Sequence, residues 1–320
     1  MPATINPPIK VCLANSNHPL RKGDCDTSLA ETFNWCHNIK DFFKQSRPVV
    51  SFEVFPPKTD ADITQIYSAL GELANLSPDF ISVTYGAGGG GNSGKTVDIA
   101  AAIQNDYNIC SLAHLTCIGA DRDSIRQLIS QMKDRGIKNV LALRGDIPEG
   151  YTMGEYFRYA EDLIRELKAA GDFCIGAACY PEGHIECDSL DFDTECLRRK
   201  QEAGADFLVT QLFFDNDYFY RFLDRVRGGG VSIPILPGVM PILSQKQIAR
   251  MIFTCGVSLP SGIIKLLHKY EKKPEDLRRA GIEYMAKQAE DLLAGGADGV
   301  HLYTMNKPDI AAYCMERLRK

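Results

Sequence analysis

Eight short apolar runs punctuate the chain: VVSFEVF (49–55), FISVTYG (80–86), CSLAHLTC (110–117), NVLALRGD (139–146), CIGAACYP (174–181), FLVTQLFF (207–214), PILPGVM (234–240) and GVHLYTMN (299–306). Each is apolar almost throughout instead of alternating, as strands covered on both faces of a parallel sheet are. The first seven begin 27–35 residues apart, one strand-helix unit each, and the eighth follows after 65. Helical stripes run between them. Ile125, Leu128, Ile129 and Met132 recur at i, i+3, i+4 and i+7, and Tyr156, Phe157, Ala160, Leu163, Ile164 and Leu167 repeat that stripe. Gly136, Gly171, Gly204 and Gly296 stand where helices are expected to end.

Eight strands joined by helices predict a (β/α)8 TIM barrel, for which about 250 residues is typical. A doubly wound open sheet is the alternative. The barrel is assigned to 49–320, after an N-terminal arm and capping helix over 1–48. The long last interval has room for an inserted helical pair between strands seven and eight, with SGIIKLLHKY and EDLRRAGIEYMAKQAEDLLAGG as candidates.

Composition narrows the function classes. The 320 residues are 45% hydrophobic and 24% charged with a net charge of −5, which describes a globular protein without a basic surface for nucleic acid. No apolar run approaches the roughly 18 residues of a membrane span, and the N-terminus lacks a signal-peptide core. A cytoplasmic protein is expected. The eleven cysteines are scattered with no C-x-x-C pair, and Cys110, Cys117, Cys174 and Cys179 lie inside apolar runs, where a reduced thiol packs as a small hydrophobe. Cys12, Cys25, Cys36 and His37 match no zinc spacing, so no metal site is expected.

One stretch suggests a different chemistry. Residues 84–96, TYGAGGGGNSGKT, satisfy the phosphate-loop pattern G-x-x-x-x-G-K-[ST] at Gly89–Thr96 and also G-x-G-x-x-G at Gly86–Gly91. Four consecutive glycines satisfy almost any glycine pattern, so the match is weak. Lys95 and Thr96 are expected to begin a helix, with Ser93 as its cap.

In a barrel, function gathers at the C-terminal strand ends. Polar residues stand there almost unit by unit: Glu53, Thr84, His114, Arg144 with Asp146, Tyr180 with His184, Gln211, and Tyr303 with Lys307. Any one of them has a structural explanation as a cap or a pair; their convergence is the signal. Glu53, between Phe52 and Val54, is expected to lose solvation, stay protonated near neutrality and serve as a proton donor. A salt bridge from Glu53 to Arg144 across the barrel mouth would lower its pKa instead.

SFEVFPPK, ISVTYGAG, AHLTCIG, LALRGD, CYPEGH, EAGADFLVTQLFFD, LPGVMP and HLYTMNKP, in this order, resemble methylenetetrahydrofolate reductase of the short bacterial type, from about residue 49 to 312. The resemblance implies an FAD-containing barrel that reduces 5,10-methylenetetrahydrofolate to 5-methyltetrahydrofolate with NADH or NADPH in ping-pong fashion. It makes Glu53 the general acid that protonates N10 of the folate and opens the ring to an iminium. Asp146 becomes the carboxylate between flavin and folate, and Gln211 the residue that hydrogen-bonds the pterin. Thr84, His114, Arg144, Gly145, Asp146, Tyr159, Ala160, Tyr180, His184, Asp193 and Lys200 are implied to hold FAD. Gln247, Met251 and Lys307 join Glu53 and Gln211 around the substrates. Met251 stands where relatives place a Phe and Lys307 where some carry an Arg. A homo-oligomer is expected, and an electron-donor protein in place of the nicotinamide stays open. The rival classes are another flavin barrel such as a proline dehydrogenase, which would not bind folate, and a phosphate-loop nucleotide-binding protein.

Overall fold

The computed structural model describes residues 38–57, 62–85, 93–147, 150 and 156–319. The Cys-containing arm and most of the expected capping helix, and the glycine run 86–92, lie outside the described residues. In chain order the strands are β1 (Val49–Val54), β2 (Phe80–Val83), β3 (Cys110–Thr116), β4 (Asn139–Leu143), β5 (Cys174–Cys179), β6 (Phe207–Thr210), β7 (Ile235–Leu236), β8 (Gly238–Val239) and β9 (Gly299–Tyr303). The helices are α1 (Ile63–Asn75), α2 (Ser93–Asn105), α3 (Arg122–Asp134), α4 (Ala160–Ala170), α5 (Leu190–Ala203), α6 (Asn216–Gly228), α7 (Gln245–Cys255), α8 (Ser261–Lys269), α9 (Pro274–Ala294) and α10 (Pro308–Leu318).

All strand pairings are parallel, in the order β7-β6-β5-β4-β3-β2-β1-β9-β8. β7 and β8 are two halves of one strand broken at Pro237, which has no N–H to give the ladder. The first half pairs with β6 through Leu208↔Ile235 and the second with β9 through Gly238↔His301. The Pro237 carbonyl still accepts the His301 N–H at 2.9 Å. Nine segments therefore make eight barrel strands, and the sheet closes. The open-sheet alternative is excluded, and each strand begins within one residue of its expected start.

Strand parity sorts the side chains. Outward residues such as Phe52, Val54, Ile81, Val83, Leu115 and Ile175 join the core under the helices, while Val49, Phe80, Leu112, Leu141, Phe207 and Leu236 fill the barrel interior. A 3-10 helix, Ile39–Lys44, plugs the lower end of that interior: Ile39 is fully buried, and Phe43 meets Phe207 at 5.6 Å between ring centroids. It is pinned by the Ile39 N–H donating to Asn139 Oδ1 at 2.8 Å and by Lys40 to Asp206 at 3.2 Å.

Several helices start at side-chain caps: Asp121 accepts the Ser124 N–H for α3, Ser189 the Phe192 N–H for α5, and Ser244 the Gln247 N–H for α7. Gly204 ends α5 at φ 115°, where a Cβ would be strained. The stripe at 156–167 is only partly helical: α4 begins at Ala160, so Phe157 is buried in the approach to the helix and Tyr156 is exposed. Three helices fill the last interval. Residues 275–296, one of the two candidate segments, turn out to be the barrel helix α9, whose Gly281 lies so close to the Ile242 carbonyl that a Cβ would overlap it. The extra pair is α7 and α8.

The plug gives a first prediction. Ile39→Ala removes a fully buried side chain from the barrel floor and is expected to cost about 3 kcal/mol, read as a lower midpoint in thermal unfolding. An unchanged midpoint would mean that the floor closes without the plug.

Candidate functional site

Inward residues at the C-terminal ends of the strands line a cavity of about 580 Å³, within the range of small-molecule sites. Parity puts Glu53 there from β1, His114 from β3 and Tyr303 from β9; Thr84 and Gln211 follow β2 and β6 on the same inward side. All eleven residues expected at the cofactor line this cavity, together with Glu53 and Gln211. Gln247, Met251 and Lys307 do not. Gln247 caps its own helix, with Oε1 accepting the Leu243 N–H at 2.8 Å, and Met251 packs in the apolar cluster of Leu212, Phe214 and Met240. Lys307 is exposed ahead of α10.

Glu53 sits on the cavity floor with a side chain 19% exposed. Its Oε2 lies 3.7 Å from His114 Nε2 and 3.6 Å from His301 Nε2. The pairing with Arg144 does not form. Arg144 gives both terminal nitrogens to Glu186, at 2.6 and 3.0 Å, and the guanidinium holds the Glu186 carboxyl below its usual range. His114 is buried, which pulls its pKa down to about 4 against the opposing pull of Glu53, so the ring is neutral near pH 7. Its Nε2 has no hydrogen-bond partner among the described residues. Tyr303 donates to the Thr210 carbonyl at 2.8 Å, and burial pushes its hydroxyl well above the ordinary tyrosine value.

The Arg-Gly-Asp turn after β4 is tied to the end of β3, because the Arg144 carbonyl accepts the N–H groups of Cys117 and Ile118 at 3.2 and 2.8 Å. Gly145 adopts φ 92° there, and a Cβ on it would lie 2.7 Å from Ile118. That turn projects Arg144 and Asp146 into the cavity. On the facing wall Lys200 is half-buried, donates to the Ala178 carbonyl at 2.8 Å and has its pKa lowered by desolvation. Tyr180 and His184 meet edge to face at 4.6 Å, and Glu186 donates its N–H to His184 Nδ1. Asp193, on the first turn of α5, is 4% exposed, its pKa is raised by burial, and Oδ2 has no hydrogen-bond partner among the described residues. Two cations, a buried carboxylate and an unpartnered imidazole thus share one wall system, a donor set suited to a large anionic heterocyclic ligand.

Residue reading along the chain missed His301, Glu186, Phe192, Cys187 and Cys196. The last four line the cavity mouth from α5 and the loop before it. His301 had a legible signal: it lies two residues before Tyr303 on one strand, so the parity that turns Tyr303 inward turns His301 inward as well. The phosphate-loop reading fares differently. Thr96 is fully buried inside α2, and its hydroxyl donates to the Thr84 carbonyl at 3.1 Å. That oxygen is committed to the fold and is not presented to a metal-nucleotide.

The curated relatives agree on one family. Methylenetetrahydrofolate reductase 1 of Schizosaccharomyces pombe is 37% identical over 274 residues, covering 84% of this chain and 45% of the relative. The 5,10-methylenetetrahydrofolate reductases of Pectobacterium carotovorum and Escherichia coli are 35% and 34% identical, covering 83% and 82% of this chain and 89% and 88% of theirs. The chain thus spans less than half of the fungal relative and most of the bacterial ones. Among solved structures, an uncharacterized protein from Clostridium thermocellum that binds two copies of 5-methyl-5,6,7,8-tetrahydrofolic acid superposes with a TM-score of 0.63 at 14% identity, over 87% of this chain and 96% of that one, which supports the fold. The family model for methylenetetrahydrofolate reductase matches residues 38–319, and the chain belongs to that family.

Proposed function

We propose that this chain reduces 5,10-methylenetetrahydrofolate to 5-methyltetrahydrofolate, with FAD held in the cavity at the C-terminal strand ends. The observation that carries the reading is Glu53: a largely buried carboxyl on the cavity floor whose ion-pair neighbours, among the described residues, are imidazoles and not a guanidinium or ammonium. Such a group can hold a proton and give it up inside the cavity.

The residues present fit FAD. The Asp193 oxygen and His114 nitrogen without protein partners line the cavity, and Arg144 and Lys200 supply positive charge for a pyrophosphate. Bound there, FAD would supply the hydride. The chain's own residues do the rest. Glu53 protonates N10 of the folate, which breaks the N10–methylene bond and leaves an iminium at N5. Gln211, held by its N–H to the Cys179 carbonyl at 2.7 Å, offers a side-chain amide to the pterin. Asp146, which lines the same cavity, would set a negative charge that disfavours extra negative charge on a bound flavin and favours the cationic iminium. Gln247, Met251 and Lys307, outside the cavity lining, would form the outer contacts of the bound substrates. Met251 offers a flexible apolar surface where a flat ring would pack more firmly, so nicotinamide is held loosely.

The test is the visible spectrum of the purified protein, followed anaerobically. A flavin band that bleaches with NADH and returns with methylenetetrahydrofolate is the expected result. A protein that ignores NADH but is reoxidised by the folate after chemical reduction would keep the reductase and assign the donor role to a partner protein. A colourless protein that does not take up FAD would end the reading. Glu53→Gln should retain flavin and its reduction by the donor, while oxidation by folate slows by roughly a hundredfold or more; normal folate turnover in that variant would remove Glu53 as the acid. Lys95→Ala should leave flavin content and turnover near the parent values, whereas loss of ATP binding in it would favour the glycine-loop alternative.

A further inference from the structure

His301 is 1% exposed and stands one layer below the cavity, on β9. Its ring is held on several sides: Nδ1 lies 2.7 Å from Ser51 Oγ, Nε2 lies 3.3 Å from Ser82 Oγ, the ring stacks on Phe80 at 5.9 Å, and the edge of Tyr303 meets it at 5.4 Å. A polar ring fixed so firmly and so deep needs a reason, since an apolar side chain would fill the space without needing polar partners. Among the described residues, the charged group within its reach is Glu53, with Oε2 at 3.6 Å from Nε2.

The ring orientation decides what it can do. When Glu53 is ionised, hydrogen must sit on His301 Nε2, because a lone pair there would face the carboxylate. In that tautomer the Ser51 hydroxyl, which also lies 3.4 Å from the Val300 carbonyl, donates to Nδ1. We infer that His301 is the positioning residue for Glu53: its Nε2–H holds Oε2, which leaves Oε1 as the oxygen that carries the proton into the cavity. The inference rests on the reading of Glu53 as the acid. At 3.6 Å the contact is longer than a hydrogen bond, and such catalytic contacts shorten once the site is filled.

The proton moves from Oε1 to N10 of the folate, the N10–methylene bond breaks with its electron pair going to N10, and solvent later restores the acid. The carboxylate left after transfer is the species that the Nε2–H stabilises, so the contact is stronger after the proton has moved than before it. The other titratable or charged groups facing Glu53 are His114 of β3, Tyr303 of β9 and, across the cavity, Arg144, Asp146, Tyr180 and Lys200. His114 is neutral at pH 7, with Nε2 at 3.7 Å from Oε2, and Arg144 is paired with Glu186. His301 is the neighbour whose two ring nitrogens are both held by hydroxyls.

Asparagine and glutamine separate the two ends of the ring. In His301→Asn an amide reaches Ser51 but stops short of Glu53, while in His301→Gln an N–H donor can stand where Nε2 stood. The first readout is the infrared band of the protonated Glu53 carboxyl in the holoenzyme, identified by its loss in Glu53→Gln. Removing a donor to the carboxylate favours the protonated form, so in His301→Asn the band should persist to higher pH than in the parent. In rapid mixing of reduced enzyme with the folate, the plateau rate should fall roughly tenfold to a hundredfold, and its alkaline limb should move up with the band. His301→Gln should restore both. Should His301→Asn fail to fold, Ser51→Ala, which frees Nδ1 and loosens the tautomer, should give the same upward movement to a smaller extent. An unshifted band and limb in the folded Asn or Ala variant would overturn the inference, as would equal losses in Asn and Gln with no shift, the mark of a purely structural histidine. Folate turnover that survives Glu53→Gln would instead remove the acid reading on which it stands.

Discussion

A closed parallel barrel gives each strand one inward side, and that side must be filled along its whole length. Here closure depends on a single broken strand. Pro237 interrupts the seventh strand so that its first half completes the ladder with β6 and its second half with β9, and the proline carbonyl accepts the His301 N–H at the joint. Because the ladder is continuous around the barrel, the register of β9 against β1 is fixed, and Ser51 meets His301 as Glu53 meets Tyr303. The floor of the cavity is therefore a consequence of how the sheet closes, not of any loop.

Below that floor the interior is apolar and plugged from underneath by the 3-10 helix at Ile39–Lys44. Above it the strand ends carry ionisable groups. The boundary between the two runs through Ser51, Ser82 and His301, all buried and bonded to one another. A polar layer sealed on its lower side by Phe80 and Leu112 cannot be hydrated from beneath. Its polar atoms must satisfy each other or look upward to Glu53, which is what couples a fold-bearing layer to a site residue.

The architecture was legible because parallel strands covered on both faces write themselves as unbroken apolar runs, and the spacing of those runs counted the units. What the pattern could not show was helix identity in the last interval. Residues 275–296 read as an insertion because distance alone cannot say which of three helices packs on the barrel; Gly281, pressed against the Ile242 carbonyl, decides it in three dimensions. At the site, Glu53, His114, Arg144 and Gln211 stood out as polar residues ending apolar runs. His301 did not, because it lies one layer beneath its strand end, two residues before Tyr303. Glu186 lies in a loop with no periodicity, and only its bidentate contact with Arg144 exposes it. The glycine run matches a nucleotide pattern, yet the Thr96 hydroxyl that the pattern needs is bonded to the Thr84 carbonyl.

The Arg144 pairing also keeps a cation and a carboxyl apart within one cavity. A guanidinium free to reach Glu53 would bind the carboxylate as a salt bridge. Glu186, at the cavity mouth, engages both terminal nitrogens of Arg144. The Gly145 turn, locked against Ile118, fixes the backbone from which Arg144 extends. Positive charge is thereby kept with Arg144 at the mouth and with Lys200 on the far wall, where a cofactor's phosphates would compete with Glu186 for it. The floor is left to groups that are neutral or that donate a single N–H. The separation follows from chain geometry: the arginine leaves from a loop beyond its strand end, whereas the glutamate is the inward residue of the strand itself. A chain with the two residues exchanged would have the same composition, but its carboxyl would leave from the loop and its cation would lie on the cavity floor.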